Sequence, residues 1–198
     1  MSKVTRGDLP DTFPNVNFRL LEGMISAFYA KPGMIAKIDD LAREFGVSKT
    51  TLENHLFYLE FSRLIRVLRN FRPSVMAESR KLKKVYPYNA SLALAYGWVE
   101  GGPLVETLVA GAIGAGHYWR YDGKEVDFLL KEPLIAVEAK AGSNVSYGDL
   151  QSLRYFTDRF NCKGAVVYRG KSGEQGNLRF VPLLDVLAFN KMAVLGAQ

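Results

Sequence analysis

Cysteine is almost missing from this 198-residue sequence: Cys162 stands alone, so no disulfide can form within the chain. Histidine is scarce as well, and His55 and His117 lie far apart with no cysteine partners, which excludes zinc-ligand spacing. Any metal must then be held by oxygen, and oxygen donors favour Mg2+ or Mn2+. No apolar run reaches the roughly 18 residues that a membrane span needs, and the N-terminus lacks a signal-peptide pattern. A cytoplasmic protein with no membrane partner is expected. Acidic residues are in deficit, 20 against 26 Lys and Arg, which leaves a net charge of +6 and a pI near 9.4. That bias suits a polyanionic partner, although proteins that bind nothing acidic share it.

What is present divides into two grammars, with a boundary expected between residues 88 and 89. In the first, Asn17 to Tyr29 carries Phe18, Leu21, Ile25 and Phe28 at helical spacing and stops at Lys31-Pro32-Gly33. Ile38 to Phe45 is a short helix ended by Gly46, and Ser48 is placed to cap a second helix over Lys49 to Arg63, with Leu52, Leu56 and Leu59 on one face. Helix, glycine turn and helix make a helix-turn-helix. Leu64 to Phe71 and Lys83 to Tyr86 then read as the two strands of a wing.

Eight basic residues crowd this wing, Arg63, Arg66, Arg69, Arg72, Arg80, Lys81, Lys83 and Lys84, against the single acid Glu78. Such a cluster can neutralise several DNA phosphates, with binding that weakens as salt rises. Lys49, Thr50, Glu53 and Asn54 at the start of the second helix are of types that reach base edges in a major groove. The alternative is a packing module with a solvated basic face.

The second grammar opens with Gly101-Gly102-Pro103, leading an apolar helix through Glu106 to about Ala115. Tyr118 to Tyr121 and Glu125 to Leu130 are strand-like runs joined at Asp122-Gly123, a dipeptide suited to the positive φ angles of a tight hairpin. A further reversal near Glu132-Pro133 precedes the apolar run Leu134 to Ala139. If the ladder is symmetric, Asp127 lies across from Glu138, with Cβ atoms about 4.5–5.5 Å apart. Lys140, two residues on, shares the face of Glu138. Two carboxylates and a lysine at one point can hold a divalent metal and cut a phosphodiester. A helix from Asp149 to Phe160, a strand at Gly164 to Tyr168, and a strand and helix near Leu178 to Met192 complete the order.

Glu106, Asp127 and Glu138-Ala-Lys140, followed by a helix with Gln151 and Tyr155 four residues apart, resemble the PD-(D/E)XK nuclease superfamily and the Gln-x-x-x-Tyr element of its RecB-like branch. More narrowly, Asp8-Leu-Pro10, Val85-Tyr-Pro-Tyr, Gly102-Pro-Leu-Val-Glu106, Tyr118-Trp-Arg, Glu125-Val-Asp-Phe128 and Val137-Glu-Ala-Lys140 resemble the C-terminal part of archaeal and bacterial AAA-type ATPases that carry the domain of unknown function 4143. This resemblance covers nearly all of the chain. It implies an α+β protein, a winged helix-turn-helix over residues 1–88 followed over 89–198 by an αβββαβ restriction-endonuclease-like domain with a mixed sheet flanked by helices. Its ATPase core is absent here, and an ATPase module outside this chain is the implied partner beside DNA. Gly164-Ala-Val-Val-Tyr-Arg-Gly170-Lys171-Ser172 has five residues between its glycines where a phosphate-binding loop needs four, so no ATPase activity is expected.

In the enzymatic reading Asp127, Glu138 and the Ala139 carbonyl ligate magnesium. The metal neutralises the scissile phosphate and lowers the pKa of a bound water, while Lys140 positions that water and offsets transition-state charge. Glu106 orients an outer water, and Gln151 and Tyr155 fix the lysine or the phosphate. Trp119 is expected to pack. A Glu-x-Lys pair alone is an ordinary surface alternation; the register of Asp127 and the upstream Glu106 are what select the nuclease reading. Two others stay open: a silent accessory domain of an ATPase that grips DNA or a partner, and a winged-helix DNA-binding regulator.

Overall fold

The computed structural model describes residues 7–13, 15–72, 82–97, 99–189 and 195. It is an α+β protein that divides into two compact units, one built from residues up to Val67 together with Leu82–Val99, the other from Leu68–Lys81 together with Glu100 to the C-terminal end. No helix among the described residues is long and apolar enough to cross a membrane.

The first unit holds helices α1 (Leu9–Thr12), α2 (Phe18–Ala30), α3 (Ile38–Glu44) and α4 (Lys49–Phe61), and strand β1 (Met34–Ala36). Strand β2 (Ile65–Asn70) begins there, and β3 (Lys83–Pro87) and α5 (Ala90–Tyr96) complete it. The strands lie in the order β1-β3-β2, and β1 pairs antiparallel with β3 through Met34 opposite Val85. Caps fall where short polar side chains predict them. Asn17 Oδ1 accepts the Leu20 N–H at 3.1 Å, and Ser48 Oγ accepts the Thr51 N–H at 3.1 Å. The C-terminus of α4 closes with Arg63 in the left-handed region, φ 56, while the Leu64 N–H bonds the Leu59 carbonyl at 3.0 Å. Glycine ordinarily fills that position. Leu21, Met24, Ile25, Phe28, Leu52, Leu56 and Leu59 make the core, and His55 is buried beside it. The Nδ1 of His55 lies 2.7 Å from the Thr51 carbonyl and its Nε2 accepts the Asn17 N–H at 2.8 Å, so both ring nitrogens are used in tying α4 to the start of α2.

In the second unit, the apolar helix α6 (Gly101–Ile113) ends at Gly114 in the left-handed region and leads into β4 (His117–Tyr121), β5 (Lys124–Lys131) and β6 (Leu134–Ala139). Next come α7 (Gln151–Phe160), β7 (Lys163–Tyr168), the short β8 (Gly173–Gln175), β9 (Leu178–Pro182) and α8 (Leu183–Ala188). The β4–β5 and β5–β6 pairs are antiparallel, β6–β7 and β7–β9 are parallel, and β8 is antiparallel to β9, so the sheet is mixed. Asp122 and Gly123, with φ 49 and 72, turn the β4–β5 hairpin about the expected dipeptide, with Tyr121 opposite Lys124. Helix α7 lays Leu153 and Phe156 on Trp119, Val126, Leu129, Ala136 and Val166.

The compact units divide at Val67/Leu68, Lys81/Leu82 and Val99/Glu100, where composition suggests a single boundary between residues 88 and 89. The physical reason lies in β2. Its last residues pair in parallel with β4, Arg69 opposite His117 and Asn70 opposite Tyr118. The Asn70 side chain accepts the Arg120 N–H at 3.0 Å and donates to the Arg120 carbonyl at 3.2 Å, standing in for one more rung of the ladder.

Candidate active site

Asp127 and Glu138 are brought to adjacent strands by the β5–β6 ladder. Phe128 sits opposite Val137 and Leu129 opposite Ala136, so one further step of the same register sets Asp127 against Glu138. Leu129 and Ala136 face α7, and the alternation of side chains along β6 directs Glu138 to that same face, while the bond from the Ala139 N–H to Asp127 Oδ2 holds the Asp127 carboxylate at the end of that strand. A bulge between β4 and β5, where the register shifts from His117/Leu129 to Trp119/Val126, lets Val126 reach that core as well.

At the end of β6 the two carboxylates do different work. Asp127 Oδ2 accepts the Ala139 N–H at 3.0 Å, which fixes this carboxylate against the backbone beside Glu138. Glu138 is only 8% exposed, and its Oε1 accepts Lys140 Nζ at 2.9 Å. Burial pulls the Lys140 ammonium downward, but the charge and hydrogen bond of Glu138, with the charges of Asp127 and Asp149, outweigh it and hold the lysine above its ordinary range. Lys140 thus senses three carboxylates at once.

Asp149 was not singled out from the sequence. Its Oδ2 accepts the Ser146 N–H at 2.9 Å and the Ser146 hydroxyl at 2.7 Å, while Ser146 Oγ takes the Asp149 N–H at 3.3 Å. Those bonds from Ser146 hold the Asp149 carboxyl below the usual carboxylate range. The reciprocal pattern is a capping box at the entry of a single 3-10 turn, Gly148–Leu150, that runs into α7. Ser-x-x-Asp ahead of an amphipathic helix was the signal that could have found it.

Glu106 lies half-buried on α6, and Gln151 is exposed at the start of α7. Tyr155 does not turn to Lys140: its hydroxyl bonds Arg159 Nη1 at 3.0 Å, its ring stacks on Trp119 at 6.0 Å, and Lys124 Nζ lies 4.8 Å from its centroid. Trp119 is 3% exposed, the packing residue expected of it. The Gly170-Lys171-Ser172 loop leads into β8 rather than a helix, so no helix N-terminus follows it to receive a phosphate.

The donor set can be tested against a hard cation. Asp127, Glu138 and the Ala139 carbonyl offer only oxygen, and among the described residues no group of three or more His, Cys, Asp or Glu is placed to hold a metal. A closed protein cage is therefore not built here. Two carboxylates with the remaining positions left to water and phosphate suit Mg2+, which is commonly held in that way.

The expected DNA-contact residues separate on inspection. Lys49, Thr50 and Asn54 are exposed on α4, with Lys49 Nζ 2.9 Å from Asp39 Oδ1, and that hydrogen bond raises the lysine above its ordinary range. Arg63 and Arg69 are exposed, and Lys83 is half-buried. Arg66 is half-buried with its guanidinium 4.7 Å over the Tyr88 ring, and Arg72 donates to the Arg120 carbonyl at 3.1 Å. Lys84 corrects the expectation: it is 5% exposed, with Nζ 5.5 Å from the Tyr86 ring, too enclosed to meet a phosphate. Arg80 and Lys81 lie outside the described residues.

No curated protein and no solved structure matches the chain. The model of the domain of unknown function DUF4143 matches residues 102–185, which bears out that part of the expected kinship and confines it to the second unit. Residues 1–100, just over half of the sequence, match the model described as domain of unknown function DUF8612, and the chain belongs to that family.

Proposed function

We infer that this chain is a DNA-binding protein whose second unit hydrolyses phosphodiesters with the help of a divalent metal. The observation that carries the reading is the meeting of Asp127, Glu138 and Lys140 at the end of one antiparallel ladder, with Lys140 in the field of both carboxylates. The α6-β4-β5-β6-α7-β7 order, an αβββαβ pattern with β6 and β7 parallel, supports a PD-(D/E)XK nuclease-like unit. In the first unit, helices α2, α3 and α4 with strands ordered β1-β3-β2 and a capped α4 after a glycine turn support a winged helix-turn-helix. On this reading the protein is a cytoplasmic relative of the C-terminal region of AAA-type ATPases.

The chain's own groups have separable tasks. Asp127, Glu138 and the Ala139 carbonyl would hold Mg2+ or Mn2+. When bound, that cation supplies charge neutralisation at the phosphate and a more acidic water. Asp127 is kept in place by the Ala139 N–H, so its carboxylate needs little reorganisation to present its other oxygen. Lys140 carries its proton throughout the neutral range and stands beside Glu138, where it can orient a water and offset charge developing on the phosphate. Glu106 and Gln151 are assigned outer positions, on water and on phosphate respectively.

The test is incubation of the whole chain with branched, single-stranded and supercoiled DNA in magnesium or manganese, beside Asp127→Ala. Cleavage by the wild type that the variant loses supports the reading. No cleavage with salt-sensitive binding retained would favour a silent accessory domain or a DNA-binding regulator.

A further inference from the structure

Beside the carboxylate set, the β4–β5 hairpin and α7 present a stacked aromatic group edged by cations that the roles above leave unused. Trp119 is buried, and two tyrosines rise from it: Tyr155, stacked at 6.0 Å and 28°, and Tyr121, at 6.3 Å and 35°. Both rings reach solvent, Tyr121 being 46% and Tyr155 38% exposed. Arg159 spans them, 5.3 Å from the Tyr121 centroid and bonded to the Tyr155 hydroxyl. Arg72 approaches Tyr121 at 5.6 Å, and Lys124 approaches Tyr155 at 4.8 Å. Apart from Asp127 of the carboxylate set, the acids of the hairpin are Asp122 at the turn and Glu125, whose carboxylate lies 3.6 Å from Arg120.

Solvent-reaching rings held on a buried indole and flanked by cations are what unpaired bases need. Bases stack on the rings, and the guanidinium and ammonium groups track the phosphates. Duplex DNA has its bases stacked on one another and offers these rings no face. The position is also telling. Lys124 opens β5 and Asp127 lies three residues along it, roughly 10 Å at the rise of a strand, so a base stacked here lies within a few nucleotides of the carboxylates.

We propose that Tyr121 and Tyr155 form a stacking platform for single-stranded nucleic acid, and that the substrate of this site has unpaired bases next to the phosphodiester it presents. The inference rests on the nuclease reading for the identity of its partner. It is tested by fluorescence anisotropy of the full chain with a labelled thymidine oligonucleotide and with a duplex of equal length, in chelator so that nothing is cut. The wild type should prefer the single strand. Tyr121→Ala and Tyr155→Ala should each weaken it by about 5- to 150-fold, the fold-change that about 1–3 kcal/mol of base stacking represents. Phenylalanine at either position keeps the ring and should keep most of the affinity. A second measurement needs no variant: photocrosslinking of a 5-iodouracil oligonucleotide to the wild type should place the adduct on a peptide that holds Tyr121 or Tyr155. Equal or tighter duplex binding, alanine variants that bind like the wild type, or adducts confined to other peptides would overturn the platform. Binding intact with no cleavage in magnesium counts against the nuclease reading alone. Cleavage with binding indifferent to the tyrosines counts against the platform alone.

Discussion

Replacing Asp127 by asparagine and by alanine separates two roles that its carboxylate combines. The Oδ2 atom accepts the N–H of Ala139, a residue 6% exposed, so alanine leaves that donor without its partner. A hydrogen bond to a charged group contributes about 1.5–3 kcal/mol. At roughly 2–4 °C per kcal/mol for a chain of this size, Asp127→Ala should lower the melting temperature by about 3–12 °C. Asparagine keeps an acceptor oxygen at the same place and should cost less than about 1 kcal/mol. Cation binding discriminates in the other direction. A divalent ion at ten times its Kd stabilises the wild type by about 1.4 kcal/mol, or about 3–6 °C. Asparagine, a neutral ligand, should abolish that increment while leaving the fold nearly as stable as before. Thermal melts of the three proteins with and without magnesium or manganese provide the comparison. If Asp127→Asn falls as far as Asp127→Ala, the backbone bond is not what holds this carboxylate. If Asp127→Asn keeps the cation-induced increment, Asp127 is not a metal ligand.

Three further outcomes follow from other parts of the molecule. Lys140 is raised in the folded state above its unfolded value of about 10.4, so its contribution to stability is full below that pH and is lost as pH rises through the folded value. Glu138→Gln should therefore flatten the loss of stability of the wild type above about pH 10.4, read from melts of both proteins across that range. Gly164→Ala would place a Cβ 2.5 Å from Leu178 Cδ2 and 3.0 Å from Thr157 Cγ2, where α7 presses on β7. Overpacking of that kind should cost about 1–3 kcal/mol by denaturant titration, and a neutral result would mean that the Leu178 and Thr157 methyls give way to the added carbon. Arg63→Gly replaces a side chain held at φ 56 and should stabilise the first unit by roughly 1 kcal/mol. If Arg63 contacts a phosphate, the same variant should reduce the salt dependence of DNA binding by about 0.9 in slope, and an unchanged slope would remove Arg63 from the interface.

Much of this arrangement could be read from local chemistry. Asp122-Gly123 set the β4–β5 hairpin, because few dipeptides tolerate two positive φ angles, and the reversal at Glu132-Pro133 set the β5–β6 register that opposes Asp127 and Glu138. Ser48 placed the start of α4 for a similarly local reason, its hydroxyl being within reach of the Thr51 N–H. What escaped depended on distant partners. The alternation along Leu64 to Phe71 is compatible with a wing strand, and nothing local says that Arg69 and Asn70 pair with His117 and Tyr118. Lys84 looked like one more surface cation in a basic run, yet Lys84, Val85, Tyr86 and Pro87 are all buried, so both faces of that strand are covered. Strand β8 has no signature in the sequence, since Gly173-Glu-Gln is fully exposed and has no apolar alternation to mark it. Tyr155 shared a helical face with Gln151 on paper, but Trp119, a packing residue by sequence, holds the tyrosine ring beside the hairpin.

The account depends on Asp127 and Glu138 sharing one cation. Anomalous diffraction at the manganese edge, from crystals of the whole chain grown with Mn2+, addresses that directly. A single manganese peak within coordination distance of both carboxylates, with Lys140 beside it, is the predicted result. A peak bound by neither carboxylate, or no peak at a manganese concentration that supports DNA cleavage, would contradict it.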